Sequence, residues 1–320
     1  MKTLRTLSRA LLATAASVLM TPPSADAGSP YDIRPSDEDL RAYYDYDSTA
    51  PLDGASEVVY EDGLQTAHEV SFINTRDQRI YGMLWIPKQT QAPPPVILHT
   101  PGYGDDRNEL DATTAPLLGG YYLRDIQYAI LIIDPPFRGE RGVPGHDVFS
   151  LDMVDSRDVV SQYVLDCRRG LDYLETREDL FPEFHVTSLS FGGFSGTILT
   201  AVDERIHALS VIIGGGDWPV MIRRSYFPTA LALRRALNDH TEAYGPYFQF
   251  HDSASYAHMI SPRPIHVHSG LLDPIVPTGD NLFRSAAKPK KHYWYLTGHY
   301  TAIIASPLML LRTHNLFDRN

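Results

Sequence analysis

Short, nearly unbroken apolar runs punctuate this chain. Val96–Thr100, Ala129–Asp134, His185–Ser190, Ala208–Ile213, Ile265–Ser269 and Tyr293–Leu296 each read as a strand. Runs such as Ala129-Ile130-Leu131-Ile132-Ile133 suit strands buried on both faces. Helical segments stand between them, for instance Val159 to Leu174. Short strands alternating with helices predict an α/β fold with a mostly parallel, doubly wound sheet and right-handed crossovers. Upstream, Ala67–Ile73 and Arg79–Pro87 alternate apolar and polar residues around Asn74-Thr75-Arg76-Asp77-Gln78, which predicts an antiparallel hairpin opening the sheet. The stretch 28–66, and Tyr31 to Gly54 above all, is rich in Tyr, Asp, Ser and Pro and reads as an irregular arm wrapping the main domain, 67–320. One connection breaks the rhythm. From Trp218 to Met259 the chain is too long for a simple crossover and is dense in Trp, Tyr and Phe, with a helix-like piece at Ala230–Asn238. It reads as a small cap insertion, whose aromatics could line an apolar pocket, stack on sugar rings or simply pack on the core.

Candidate chemistry sits at the ends of these strands. In Val186-Thr187-Ser188-Leu189-Ser190-Phe191-Gly192-Gly193 an apolar run enters a serine with small residues two before and two after it. That pattern turns a strand sharply into a helix with a nucleophilic serine at the apex, because only small neighbours let strand and helix approach so closely. Ser188 stands where the usual motif has glycine. A triad needs an acid and then a histidine on later strand-end loops. Asp273 follows the strand ending at Ser269, and His299 follows the strand ending at Leu296. Asp217, after Gly214-Gly215-Gly216, is an alternative acid. The turn Pro101-Gly102-Tyr103-Gly104 follows the first parallel strand. Backbone N–H groups of Tyr103 and Phe191 could receive a developing oxyanion, with Gly104 as fallback for the first. Ser195 has glycines at the wrong offsets and should lie inside the helix. His266 and His268 share a strand face without an apparent third ligand, so they read as core or rim residues and no metal site is expected.

On the elbow, the Pro101–Gly104 loop and the segment Asp134-Pro135-Pro136-Phe137-Arg138-Gly139-Glu140-Arg141-Gly142, the chain from about Glu69 onward resembles the serine hydrolases of the α/β-hydrolase superfamily. It is closest in feel to the dienelactone-hydrolase-like, acetyl-xylan-esterase-like and prolyl-oligopeptidase-like members. The resemblance implies an eight-stranded sheet and hydrolysis of esters, thioesters or amides. Arg138 reads as structural. In the implied mechanism His299 deprotonates Ser190, Asp273 orients the imidazole, and an acyl-enzyme forms and is hydrolysed. That chemistry calls for no metal or organic cofactor. A carboxylic-ester hydrolase acting on a small-molecule or saccharide ester is the first expectation. A serine peptidase of prolyl-oligopeptidase type is the second, and a catalytically dead binding protein on the same scaffold the third.

Composition trims the alternatives. A chain of 320 residues can bury one large core. The formal net charge of −11, with no Lys/Arg cluster, argues against a nucleic-acid partner. The single cysteine, Cys167, reads as a small buried hydrophobe. Lys2, Arg5 and Arg9 precede an apolar stretch of about 11 residues, Ala10 to Met20, too short to span a bilayer. Thr21-Pro22-Pro23 and Ala25-Asp26-Ala27 then complete a signal-peptide pattern over 1–27, cut after Ala27. A periplasmic or secreted mature protein without a membrane span is the expectation.

Overall fold

The computed structural model describes residues 35–108, 127–238, 240 and 245–319. The signal-peptide reading and the start of the arm lie outside the described residues.

Among the described residues nine strands build one sheet: β1 (Ala55–Glu61), β2 (Gln65–Ile73), β3 (Arg79–Pro87), β4 (Val96–Thr100), β5 (Ala129–Ile133), β6 (Phe184–Leu189), β7 (Ile206–Ile212), β8 (Ile265–Gly270) and β9 (Lys290–Tyr295). Their spatial order is β1-β2-β3-β5-β4-β6-β7-β8-β9. The first three form an antiparallel meander that joins β5, and from β5 to β9 every pairing is parallel. The connection leaving β4 runs to β5 on one side, and the connection leaving β6 runs to β7 on the other. That reversal puts a crevice at the carboxyl ends of β4 and β6, where open α/β sheets bind ligands.

The helices are α1 (Asp37–Ala42), α2 (Met153–Glu175), α3 (Gly192–Val202), α4 (Trp218–Arg224), α5 (Pro228–Ala236), α6 (Gly245–Phe248), α7 (Ser253–Tyr256), α8 (Gly279–Ser285) and α9 (Ser306–Phe317). The central strands β4 and β5 are buried at every position, as their unbroken apolar runs require. All of α3 is buried too, so it runs through the core rather than over it.

Two expectations need correction. The sheet has nine strands, not eight, and the additional one, β1, lies in the stretch read as irregular arm. Every residue of β1 is exposed, so no burial pattern marks it in the sequence. The arm also holds α1, started by a capping box in which Ser36 and Asp39 bond each other's backbone. From there to Pro51 it is tied to α2. The buried Arg169 guanidinium donates to the carbonyls of Ser48, Ala50 and Pro51 and to Asp172, which also accepts from the Tyr46 hydroxyl.

The last strand begins at Lys290, earlier than its aromatic run suggests. It is an edge strand, where lysine guards against further pairing. The insertion from Trp218 to Met259 holds α4 to α7 and is drawn together by Asp252. Its carboxylate accepts from the N–H groups of Asp217 at 2.7 Å, Trp218 at 2.7 Å and Ala254 at 2.9 Å. Burial pushes this carboxyl up to about 6.

Candidate active site

The elbow forms where β6 meets α3. Ser190 adopts a left-handed φ of 51°, and its N–H reaches the carbonyl of Ile212 on the neighbouring strand at 2.9 Å. A β-carbon at Gly192 would collide with the carbonyl of Thr100, and one at Gly193 would lie 2.9 Å from the α-carbon of Gly214. Both glycines are therefore required by close backbone approach. Ser188, in the place of the usual glycine, is accommodated differently. Its hydroxyl accepts from Thr100 Oγ1 at 2.8 Å and faces Gly196 on α3, where a β-carbon would overlap it.

Three strand-end loops bring the predicted residues together. Ser190 Oγ lies 2.8 Å from His299 Nε2, and His299 Nδ1 lies 2.7 Å from Asp273 Oδ2. The other oxygen of Asp273 accepts from the N–H groups of Ile275 and Val276 at 2.8 and 3.0 Å, which fixes the carboxylate within its own loop. With Oδ2 accepting from the ring, the imidazole carries its proton on Nδ1 and offers Nε2 as acceptor to the serine hydroxyl. Ser190 and His299 are buried, as is the side chain of Asp273, so these bonds act where water screens them little. Asp217 lies elsewhere. It caps α4, accepting from Val220 N at 3.2 Å, and its second oxygen accepts from Asn281 Nδ2 at 2.8 Å.

The loops after β4 and β6 run side by side, because Thr100 pairs with Ser188. Phe191 is the N-cap residue of α3, so its N–H precedes the helical ladder at a terminus that favours negative charge. Tyr103 is pinned from the side. Its hydroxyl donates to Asp147, which also pairs with Arg138, and the Arg138 guanidinium sits 5.3 Å over the Tyr103 ring. Burial, then the Asp147 contact, push the Tyr103 phenol up to about 12. Arg138 thus braces the turn from behind.

The segment carrying Arg138 is held by Asp134, whose carboxylate accepts from the N–H of Arg107 at 3.0 Å and of Glu140 at 3.1 Å and pairs with the Arg107 guanidinium. Gly139, at a φ of 52°, leaves room for that carboxylate.

A cavity of about 210 Å³ opens beside Ser190. Gly102, Tyr103, Asp105, Phe149, Leu189, Phe191, Phe194, Ile213, Trp218, Met221, Phe227, Ile275, Val276, His299 and Tyr300 line it with the serine. From the insertion, Trp218, Met221 and Phe227 reach the cavity wall, while Phe248 and Tyr256 pack into the core behind it. Sequence reasoning missed Phe149, which lies between β5 and α2 outside any periodic segment, and Asp252, which no motif marks. His266 and His268 stack among Tyr293 and Tyr295, with His268 Nδ1 2.8 Å from the Tyr295 hydroxyl. Ser195 is buried inside α3, and Cys167 is buried in α2, where burial pushes its thiol well up. Among the described residues no group of three or more His, Cys, Asp or Glu could hold a metal ion, and no helix is long and apolar enough to cross a membrane.

No protein-family model matches the chain. Over 205 residues it is 25% identical to YtaP of Bacillus subtilis (strain 168), provisionally named a hydrolase. That match covers 60% of this chain and 64% of the relative, so it spans less than two thirds of that protein's length. An acetyl xylan esterase from Paenibacillus sp. R4 is similar in structure, with a TM-score of 0.67 at 17% identity over 88% of this chain and 93% of that one. The α/β hydrolase GrgF from Penicillium sp. sh18 gives a TM-score of 0.59 at 18% identity, over 79% of this chain and 98% of that one. The chain has the α/β-hydrolase fold.

Proposed function

We propose that this α/β-hydrolase-fold chain is a serine hydrolase of carboxylic esters, with Ser190 as nucleophile, His299 as base and Asp273 as the acid that orients it. The observation that carries the reading is the unbroken hydrogen-bond chain Ser190–His299–Asp273, at 2.8 and 2.7 Å, on the wall of an apolar cavity. Esterase and hydrolase names among the similar proteins agree with it.

The steps follow from the geometry. Nε2 of His299 takes the hydroxyl proton as Ser190 Oγ attacks the carbonyl carbon. The carbonyl oxygen becomes an oxyanion, for which the N–H groups of Phe191 and Tyr103 are the proposed donors. Asp273 stabilises the imidazolium and stays ionised. His299 then gives the proton to the leaving alkoxide, and the alcohol departs. Water repeats the sequence on the acyl-enzyme, releasing the acid and restoring the serine.

A fluorophosphonate probe should label Ser190, and Ser190→Ala should lose both labelling and ester turnover, by on the order of 10⁴-fold or more. Labelling that persists in Ser190→Ala, or that maps to Ser195, overturns the assignment. Turnover of aminoacyl amides above that of esters would shift the reading to a peptidase. The export proposed from residues 1–27 is checked by sequencing the N-terminus of protein recovered outside the cytoplasm. A start at Gly28 supports it, and an intact Met1 opposes it.

A further inference from the structure

We propose that the site takes esters of neutral, apolar carboxylic acids larger than acetic acid, with the acyl hydrocarbon against Phe149, Phe191, Trp218, Met221 and Phe227. This rests on the ester-hydrolase reading above and assigns its substrate class.

Volume is the first argument. The cavity of about 210 Å³ exceeds the roughly 150 Å³ of an apolar protein cavity that admits benzene. With the leaving alcohol on the His299 and Tyr300 side, an acetyl group would set only a single methyl in the remaining apolar space.

Orientation is the second. A leaving alcohol has to lie beside His299 to receive its proton, and Tyr300 flanks that side, with its ring 5.5 Å from the imidazole. The carbonyl oxygen faces Tyr103 and Phe191. The side chains of those two residues join an unbroken aromatic wall. Tyr103 meets Phe227 at 4.8 Å, Phe227 meets Phe149 at 6.2 Å, and Phe149 meets Trp218 at 5.3 Å and Phe191 at 6.4 Å. The acyl chain, leaving the carbonyl carbon on the side away from His299, runs along this wall.

Charge is the third. Beyond the serine and histidine, the ionisable side chains on the lining are Tyr103, Tyr300 and Asp105, with no Lys or Arg among the described lining residues. Arg138 stands behind the Tyr103 ring and is paired with Asp147. An acyl group ending in a carboxylate would therefore meet an acid and no cation in a largely apolar space. Neutral hydrocarbon is what the lining can solvate.

The test is a series of p-nitrophenyl acetate, butyrate, hexanoate and hydrogen succinate, which holds the leaving group constant. Each buried methylene should raise kcat/KM about fourfold while room remains, so hexanoate should exceed acetate by on the order of a hundredfold. The succinate monoester should fall below butyrate. Met221→Trp, which fills the wall, should lower the hexanoate-to-acetate ratio at least tenfold. The wild-type series carries the test alone should that variant not fold. Ser190 that takes the fluorophosphonate label in a protein that prefers acetate or succinate overturns this inference and leaves the ester-hydrolase reading standing. No labelling and no turnover of any ester overturns both.

Discussion

Asp273 and Asp217 are two carboxylates at the ends of parallel strands, and their partners set them apart. Asp273 spends one oxygen on its own loop and the other on His299 Nδ1. Asp217 spends one oxygen capping α4 and the other on Asn281. Asp273→Asn should therefore keep the fold and cut kcat by about 10⁴, the effect expected when the imidazole is held in the wrong tautomer. Asp217→Asn should cost at most a cap, about 1 kcal/mol of stability, with little change in kcat. Steady-state kinetics with denaturant midpoints on both variants check this, and reversed magnitudes would move the acid to Asp217. The positions of Ser190, Asp273 and His299 could be read from the chain because strand-end loops are short and follow recognisable apolar runs. Asp252 and Phe149 could not. Their roles arise from segments distant in sequence, Asp217–Trp218 for the first and the insertion for the second, that only the folded chain brings to them.

Where β6 crosses α3, the two elements touch through Ser188 and Gly196. A β-carbon at 196 would overlap Ser188 Oγ and lie 2.8 Å from Thr100 Oγ1. Gly196→Ala should thus destabilise the protein by about 1–3 kcal/mol, the usual cost of overpacking, despite alanine's better helix propensity. Ser188→Gly removes the nearer obstacle, so the double variant should be more stable than the sum of the singles predicts. Denaturant midpoints around that double-mutant cycle measure the coupling, and strict additivity would refute it. The departure from the usual glycine at 188 is legible in the sequence, but its compensation on the facing helix needs the crossing itself. The sheet divides in the same way. Buried parallel strands announce themselves by composition, whereas β1 and the lysines opening β9 lie at edges, where no core imprints a pattern.

At the scale of the whole molecule, burial holds six of the described imidazoles below the usual histidine range, those of His68, His185, His251, His266, His268 and His292. Burial draws His251 down to about 3, and His266 and His292 to about 4. In the unfolded chain each titrates near 6.5. Their neutral forms thus contribute stability that is fully present above about pH 6.5 and is lost as pH falls from there toward about 4, because only the unfolded chain takes up the protons. Each adds about 1.4 kcal/mol per pH unit to the slope within that window. Asp252, raised to about 6, and Asp134, also raised by burial, work in the opposite direction, but they are two described groups against six. Urea midpoints should fall steadily from pH 7 to pH 5, and His266→Gln should flatten the fall. A midpoint independent of pH across that window would refute the assignment.

The same thermodynamic scale gives Ser190 a second meaning. Its left-handed backbone is one that a residue with a β-carbon adopts at a cost of about 1–2 kcal/mol and glycine adopts freely. Of two variants that remove the proposed nucleophile, Ser190→Gly should outlast Ser190→Ala by about 1 kcal/mol in thermal melts, and equal melts would show the strain to be relieved elsewhere. A population of this protein bred for heat resistance with no demand for turnover would drift toward glycine at 190. On the role proposed for Ser190, durability and usefulness pull the chain in opposite directions at this position.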